Sequence, residues 1–563
     1  MNREVSALER ARLEYRPHLP EILDRALDRV AFEEAGATTC VRDEESIRAL
    51  FPHGYGRPVL RLGQGSGPQD LRALKVGVVL SGGQAPGGHN VITGLFDALQ
   101  RIDPGSRLIG FLGGPRGILQ ADFRDLTAEV LAPYRNTGGF DLIGGGRDKI
   151  ETPDQLAASR ATCEKLGLDG LVVIGGDDSN TNAAVLSEYF VEHGVRTVIT
   201  GVPKTIDGDM KGNGVETSFG FDTATKVYSE LIGNICRDAA SARKYWHFIK
   251  LMGRNASHVA LECGLRTRAN ITLIGEEIQE MHATLDQVVE AVALAVKRRA
   301  EAGRNYGICI VPEGLIEFIP EIRVLIGELN TILHDEAKYF ESIKLFSDKQ
   351  EFVNRKLSRD SSYAFSCLPA RIQQQLLLER DSHGNVQVSR IDTEAMLVEQ
   401  VEERIDEWTT KGEFPGRFQV QAHFFGYEGR SAAPSNFDAD YTYALGHLAA
   451  TLIAFGKTGY ICAVQNLAAT PDRWDAAGVP LTSLMQIEVR KGRPTPVIGK
   501  ALVRTDGRPY LQYRAERARW EIEDAFVFPG AIQYFGTPEV SGEPTLTLML
   551  EHGRESVSSR EES

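Results

Sequence analysis

Short apolar runs, most of them followed within three residues by glycine, punctuate the chain from Leu74 onward. Leu74–Leu80 (LKVGVVL), Leu108–Phe111, Leu171–Ile174, Arg196–Val202 (RTVITGV), His247–Met252, Asn270–Ile274, Tyr306–Val311, Phe418–Phe424 and Gly459–Gln465 are of this kind. Runs this short and rich in Val and Ile predict strands of a buried, parallel sheet. Between them lie stretches with apolar residues at helical spacing, among them Val91–Ile102, Ala183–His193, Ala224–Arg237, Thr284–Ala302 and Asp438–Phe455. Strand alternating with helix predicts a doubly wound α/β architecture.

Three stretches depart from that rhythm. Val5–Val30 has helical spacing, and Phe51–Asp70 is a Gly/Pro-rich linker, so residues 1–70 read as a helical extension. Glu321–Glu413 is charged, poor in glycine and helical in pattern, which predicts a helical insertion. After about Phe528 the chain becomes polar, and His552–Ser563 reads as a disordered tail.

At 563 residues the chain exceeds what one hydrophobic core supports, and two or three domains are expected. A net charge of −14 gives no global attraction to nucleic acid, so an anionic ligand needs locally gathered Lys and Arg. None of the 7 cysteines is spaced as CxxC, which argues against a disulfide framework or a zinc site. The charged start (MNREVSALERARLEYR) is no signal peptide, and no apolar window is long enough for a membrane span. A soluble, cytoplasmic protein is expected.

The strand ends carry the candidate chemistry. Ser81–Asn90 (SGGQAPGGHN) is a glycine-rich turn between strand and helix, a layout that aims backbone N–H groups at phosphate but lacks the Walker A ending. Asn136–Lys149 (NTGGFDLIGGGRDK) ends in Arg147 and Lys149, cations suited to anion capture. Asp177 and Asp178 follow Gly175-Gly176, with Ser179 or Asn180 placed to cap a helix from Ala183. Those carboxylates could complement the helix dipole or hold Mg²⁺ beside phosphate.

The most crowded strand end is Gly201–Lys211 (GVPKTIDGDMK), where an apolar run stops at Pro203 and a lysine and two aspartates follow. Polar residues recur at Lys244-Tyr245, Gly253-Arg254, Pro312-Glu313-Gly314 and Tyr427–Arg430. Glycine loops, Arg147, Lys204, Lys244, Arg254 and Arg430 offer anion contacts; the paired aspartates offer metal, which leaves Asp207 as a general base. This set suits phosphoryl transfer to a hydroxyl.

Gly-Gly-Gln-Ala-Pro-Gly-Gly (82–88), Gly-Gly-Asp-Asp-Ser (175–179), Pro-Lys-Thr-Ile-Asp-Gly-Asp (203–209), Met-Gly-Arg (252–254), Pro-Glu-Gly (312–314) and Tyr-Glu-Gly-Arg (427–430) together resemble the phosphofructokinase family. The nearer resemblance is to its pyrophosphate-dependent branch, in the long, catalytic beta-type form. It implies two Rossmann-like domains, with 71–240 binding pyrophosphate and Mg²⁺, and 241–320 plus 415–530 binding fructose 6-phosphate. Residues 321–414 are then the helical insertion and 1–70 the N-terminal extension.

The resemblance also implies roles. Asp207 removes the proton from the C1 hydroxyl, Asp177 holds Mg²⁺, and Gly82 with Arg147 cradles pyrophosphate. Thr205, Ile206, Met252, Gly253, Arg254, Glu313, Tyr427, Glu428, Gly429 and Arg430 join Asp207 around the sugar phosphate. Lys244 and Tyr245 reach a substrate site across a subunit interface, which implies a homodimer at least. In ATP-using relatives the positions of Asp178 and Lys204 are typically glycines. Asp178 therefore adds bulk and negative charge where an ATP α-phosphate would lie. Lys204 adds a cation where phosphoryl charge develops. Competing readings are an ATP-dependent enzyme and a non-catalytic sugar-phosphate sensor; the retained Thr205-Ile206-Asp207 argues against the sensor.

Overall fold

The structure is a computed structural model that describes residues 7–380, 385–490, 493–532, 542 and 544–554. The chain forms two compact units, Met1–Ala224 with Tyr427–Ala501 and Ile532–Ser563, and Thr225–Gly426 with Leu502–Ala531.

The first unit is built on a ten-stranded sheet. Its order runs Val30–Ala37, Pro58–Gln64, Asp475–Pro480, Tyr460–Gln465, Val198–Thr205, Gly170–Gly175, Lys75–Leu80, Arg107–Phe111, Phe123–Asp125, with Phe219–Gly220 paired to Val198–Thr205. The central strands, from Tyr460–Gln465 to Arg107–Phe111, are parallel, and the outer ones antiparallel. Val76, Val78 and Leu80 are fully buried, as are Leu171, Val172 and Ile174, which is why those segments read as unbroken apolar runs.

The second unit holds a four-stranded sheet in the order Ile271–Thr272, Gly307–Pro312, Trp246–Leu251, Val420–Phe425, parallel throughout. The helices of the expected insertion, from Pro320–Asp335 to Thr393–Thr410, belong to this unit. Their Leu325, Val353, Phe365, Leu376 and Met396 share one buried cluster with Trp246 and Phe248 of the sheet.

Several expectations are corrected. Residues 1–70 are not simply helical: the Gly/Pro-rich stretch contains the Pro58–Gln64 strand, which pairs with Val30–Ala37 on one side and Asp475–Pro480 on the other. Of the second Rossmann-like segment expected at 415–530, residues 427–501 fold with the first unit. The reason is that Tyr460–Gln465 extends the parallel sheet beside Val198–Thr205. In addition, the helices Asn436–Ala454 and Gly88–Ile102 approach so closely that a Cβ on Gly446 would lie 2.3 Å from the Val91 carbonyl oxygen. Of the expected disordered tail, 555–563 lies outside the described residues, whereas Arg554 donates to the Ala468 carbonyl.

Candidate active site

The chain leaves Lys75–Leu80 for the neighbour on one side, Arg107–Phe111, and then crosses to the other side at Gly170–Gly175. Such a reversal opens a crevice at the carboxyl ends of the strands. Three loops meet there. The Ser81 N–H donates to the Ile174 carbonyl at 2.8 Å, and the Gly82 N–H to the Gly146 carbonyl at 2.7 Å. The glycine turn after the first strand is thereby tied to the loop of Arg147.

The helix that follows Gly176 begins at Asp177, six residues before the expected start. Ser179 is inside the first turn and caps nothing; its hydroxyl donates to Ser81 Oγ at 2.7 Å. Asp177 and Asp178 instead complement the positive end of the helix. Asn180, likewise internal, clamps two strand ends by donating to the carbonyls of Gly175 at 2.6 Å and Val202 at 3.2 Å. A Cβ on Gly201 would stand 2.1 Å from Asn180 Oδ1, so this strand glycine makes room for the clamp.

The strand beside it does not stop at Pro203. It runs from Val198 to Thr205, because beyond Pro203 it pairs with Phe219–Gly220, Lys204 opposite Phe219. The extension makes Lys204 a buried strand residue, 6% exposed. Its Nζ lies 3.3 Å from where a Cβ on Gly82 would be, so the ammonium points into the glycine turn. Burial drives the Lys204 ammonium down to about 8, with Arg430 and Arg147 adding to the effect and Asp207 and Asp177 opposing it. The expected residues Gly82, Arg147, Asp177, Lys204, Asp207 and Arg430 are thus one electrostatic neighbourhood.

Thr205 and Ile206 lead into Asp207, whose N–H donates to Thr205 Oγ1 at 3.1 Å. Asp209 is buried nearby. Desolvation, followed by the Asp207 and Asp177 carboxylates, pushes its carboxyl up to about 7, while Lys500 pulls the other way. Asp178 turns towards Lys149, 3.6 Å away. Arg430 ends the short helix Tyr427–Arg430 and donates to the Gln84 carbonyl at 3.2 Å. A Cβ on Gly83 would overlap its guanidinium, at 1.4 Å from Nη2, so that glycine is what admits Arg430. Tyr427 is 67% exposed, with the Arg430 guanidinium 5.9 Å from its ring centre, and Glu428 is exposed.

In the second unit, Met252, Gly253 and Arg254 leave the end of the Trp246–Leu251 strand, and Glu313 follows the adjacent Gly307–Pro312 strand. The Gly253 N–H donates to Glu313 Oε1 at 3.2 Å, which joins two expected sugar-phosphate contacts. Gly253 has φ +124°, open to glycine at little cost. A Cβ on Gly314 would lie 1.8 Å from the Arg254 carbonyl oxygen, so the Pro-Glu-Gly turn must be glycine at that point. Lys244 and Tyr245 are not with this group. They precede the same strand, at its opposite end, separated by about 20 Å of extended chain.

Among the described residues no three His, Cys, Asp or Glu side chains form a metal-holding group. Mg²⁺ is commonly held by one or two carboxylates together with substrate phosphate oxygens. Asp177 and Asp207 both act on Asp209, so carboxylate oxygens, hard donors of the kind such an ion takes, lie near one another in this crevice. Sequence reasoning missed Lys500, which stands 3.5 Å from Asp177 Oδ2, as well as Ser81 and the Asn180 clamp. Lys500 lies far down the chain in an unremarked Gly-Lys-Ala stretch, and only the fold brings it here.

A phosphofructokinase family model matches residues 75–453. The chain is 51% identical over 556 residues, 97% of each protein, to the pyrophosphate--fructose 6-phosphate 1-phosphotransferase of Treponema pallidum (strain Nichols). It is 48% identical over 546 residues to the beta 1 subunit of the enzyme of that name in Arabidopsis thaliana, covering 97% of this chain and 94% of that one. The fold is similar to that of a pyrophosphate-dependent phosphofructokinase from Marinobacter aquaeolei, with TM-score 0.52 and 15% identity, over 80% of this chain and 93% of that one. No helix among the described residues is long and apolar enough to cross a membrane. By the family match, which spans most of its length, and by its identity to these relatives, the chain belongs to the phosphofructokinase family.

Proposed function

We propose that this chain transfers a phosphoryl group, reversibly, from pyrophosphate to the C1 hydroxyl of fructose 6-phosphate, giving fructose 1,6-bisphosphate and phosphate. The observation that carries the reading is the placement of Lys204, a buried cation aimed at the glycine turn. It occurs in a chain half identical, end to end, to proteins named for this reaction.

Each group has a task that its surroundings support. The Gly82 turn and Arg147 bind the diphosphate, by charge and by backbone N–H groups beyond that of Gly82, which Gly146 takes. Asp207 accepts the proton of the C1 hydroxyl as its oxygen attacks phosphorus. Lys204 stabilises the charge that spreads over the transferred group and the departing phosphate. Asp178, paired with Lys149, keeps a negative charge where a nucleotide would need room for another phosphate. Pyrophosphate brings no adenosine binding energy, so the site relies on charge at the reacting phosphates. Asp177 would hold Mg²⁺, which when bound neutralises phosphate oxygens. Met252, Gly253, Arg254 and Glu313 orient the sugar phosphate, together with Thr205, Ile206 and the Tyr427–Arg430 turn.

Lys244 and Tyr245 serve the site of a second copy in a homodimer. This is supported by their position at the far end of the strand that bears Arg254. Lys244 is exposed, and its ammonium lies 5.2 Å from the Tyr245 ring centre.

Asp207→Asn tests the base. Turnover is expected to fall on the order of 10²- to 10⁴-fold. Binding of fructose 6-phosphate, measured by calorimetry, is expected to stay within a few-fold of the parent. Near-parental turnover would overturn the assignment.

A further inference from the structure

Lys500 belongs to no motif, yet its segment is fastened to both sides of the acidic cluster. The hairpin formed by Met485–Arg490 and Arg493–Ile498 leads directly to it. Just before it, the Ile498 N–H donates to Thr181 Oγ1 at 2.9 Å, on the helix that begins with Asp177. The Gly499 N–H donates to the Leu484 carbonyl at 2.8 Å, holding the turn against the start of its own hairpin. Just after it, the Ala501 N–H donates to the Asp209 carbonyl at 2.7 Å. Lys500 is therefore suspended between the backbone of Asp209 and the helix of Asp177. Its Nζ stands 3.5 Å from Asp177 Oδ2, and both side chains are 28% exposed.

We propose that Lys500 is a positioning residue that holds the Asp177 carboxylate in the metal-free protein and is displaced from it when a divalent cation binds. The lysine holds the Asp177 carboxylate by its charge, 3.5 Å away. A divalent cation entering beside Asp177 must exchange with the ammonium, since two cations cannot share that carboxylate edge without strong repulsion. The free protein then binds metal weakly, and metal arrives best with pyrophosphate, whose oxygens supply both further ligands and a new partner for the lysine. The inference rests on Asp177 as the metal residue.

The experiment measures Mn²⁺ binding to the full chain without substrates, by electron paramagnetic resonance, using protein first shown to turn over pyrophosphate. Lys500→Met should bind Mn²⁺ more tightly than the parent, on the order of tenfold. Lys500→Arg should bind as the parent does. A merely structural lysine would give unchanged or weaker binding in Lys500→Met, and that result overturns the proposal. Asp177→Asn should bind Mn²⁺ more weakly than the parent; if it does not, the metal reading fails rather than the role of Lys500. Should Lys500→Met not fold, reductive methylation of Lys500 in the parent, read by mass spectrometry, decides. Labelling should rise when Mn²⁺ is added, and labelling that stays level or falls overturns the proposal.

Discussion

The ammonium of Lys204 lies 3.3 Å from the point where a side chain on Gly82 would start. Gly82 also has φ +84°, a conformation that costs any other residue more. Gly82→Ala should therefore strain the turn and crowd the lysine at once. Displacing a charge-stabilising group by a fraction of an ångström commonly lowers rate tenfold or more, so kcat/KM for pyrophosphate should drop by about tenfold or more. Thermal unfolding should move only a few degrees, because the change is confined to one turn. A variant with parental kcat/KM would place Lys204 elsewhere during catalysis.

The depressed Lys204 ammonium predicts a pH dependence. In the free protein it loses its proton near pH 8, so the cation is present below that value and lost above it. The profile of kcat/KM for pyrophosphate, which reports the free enzyme, should fall on the alkaline side with a midpoint near 8. Lys204→Arg should abolish that limb, since a guanidinium stays charged. For stability the sign is opposite: the unfolded lysine keeps its proton to about 10.4, so between these values the unfolded state binds more protons and this group makes stability rise with pH.

Donor choice is testable at two positions. In the doubly substituted Asp178→Gly, Lys204→Gly protein, activity with pyrophosphate should fall at least on the order of 10²-fold. Activity with ATP should rise or become detectable, because the blocking carboxylate is gone. Pyrophosphate activity that survives in full would remove both residues from the account of specificity.

The helical insertion is fastened to the second unit through Lys250. Its Nζ lies 2.8 Å from Glu394 Oε2 and 3.3 Å from the Ile391 carbonyl oxygen. The Lys250 side chain is 5% exposed and that of Glu394 10%. Lys250→Met leaves Glu394 buried without its cation and should cost about 3 kcal/mol in chemical denaturation. Adding Glu394→Gln should restore part of that loss. No change in midpoint would mean that water already compensates Glu394.

The sequence made the strand ends legible because each couples a buried apolar run to glycine and charge. Asp177, Lys204 and Asp207 stand at such ends. What stayed hidden depends on pairing between distant segments. Pro203 looked like a stop, yet Phe219–Gly220 supplies a partner that carries the strand on to Thr205. Pro58–Gln64 looked like a linker because its strand character comes from two neighbours, one of them more than four hundred residues away. Ser179 looked like a cap because local chemistry favours one there, but Ser81 takes its hydroxyl. Lys500 carries no local signal, and only the hairpin's return to Asp209 gives it a place.

A donor assay on the purified protein with Mg²⁺ and fructose 6-phosphate, following fructose 1,6-bisphosphate, decides which phosphoryl donor the site uses. Sustained turnover is expected with pyrophosphate, and little or none with ATP at the same concentration. Turnover with ATP and none with pyrophosphate would contradict it.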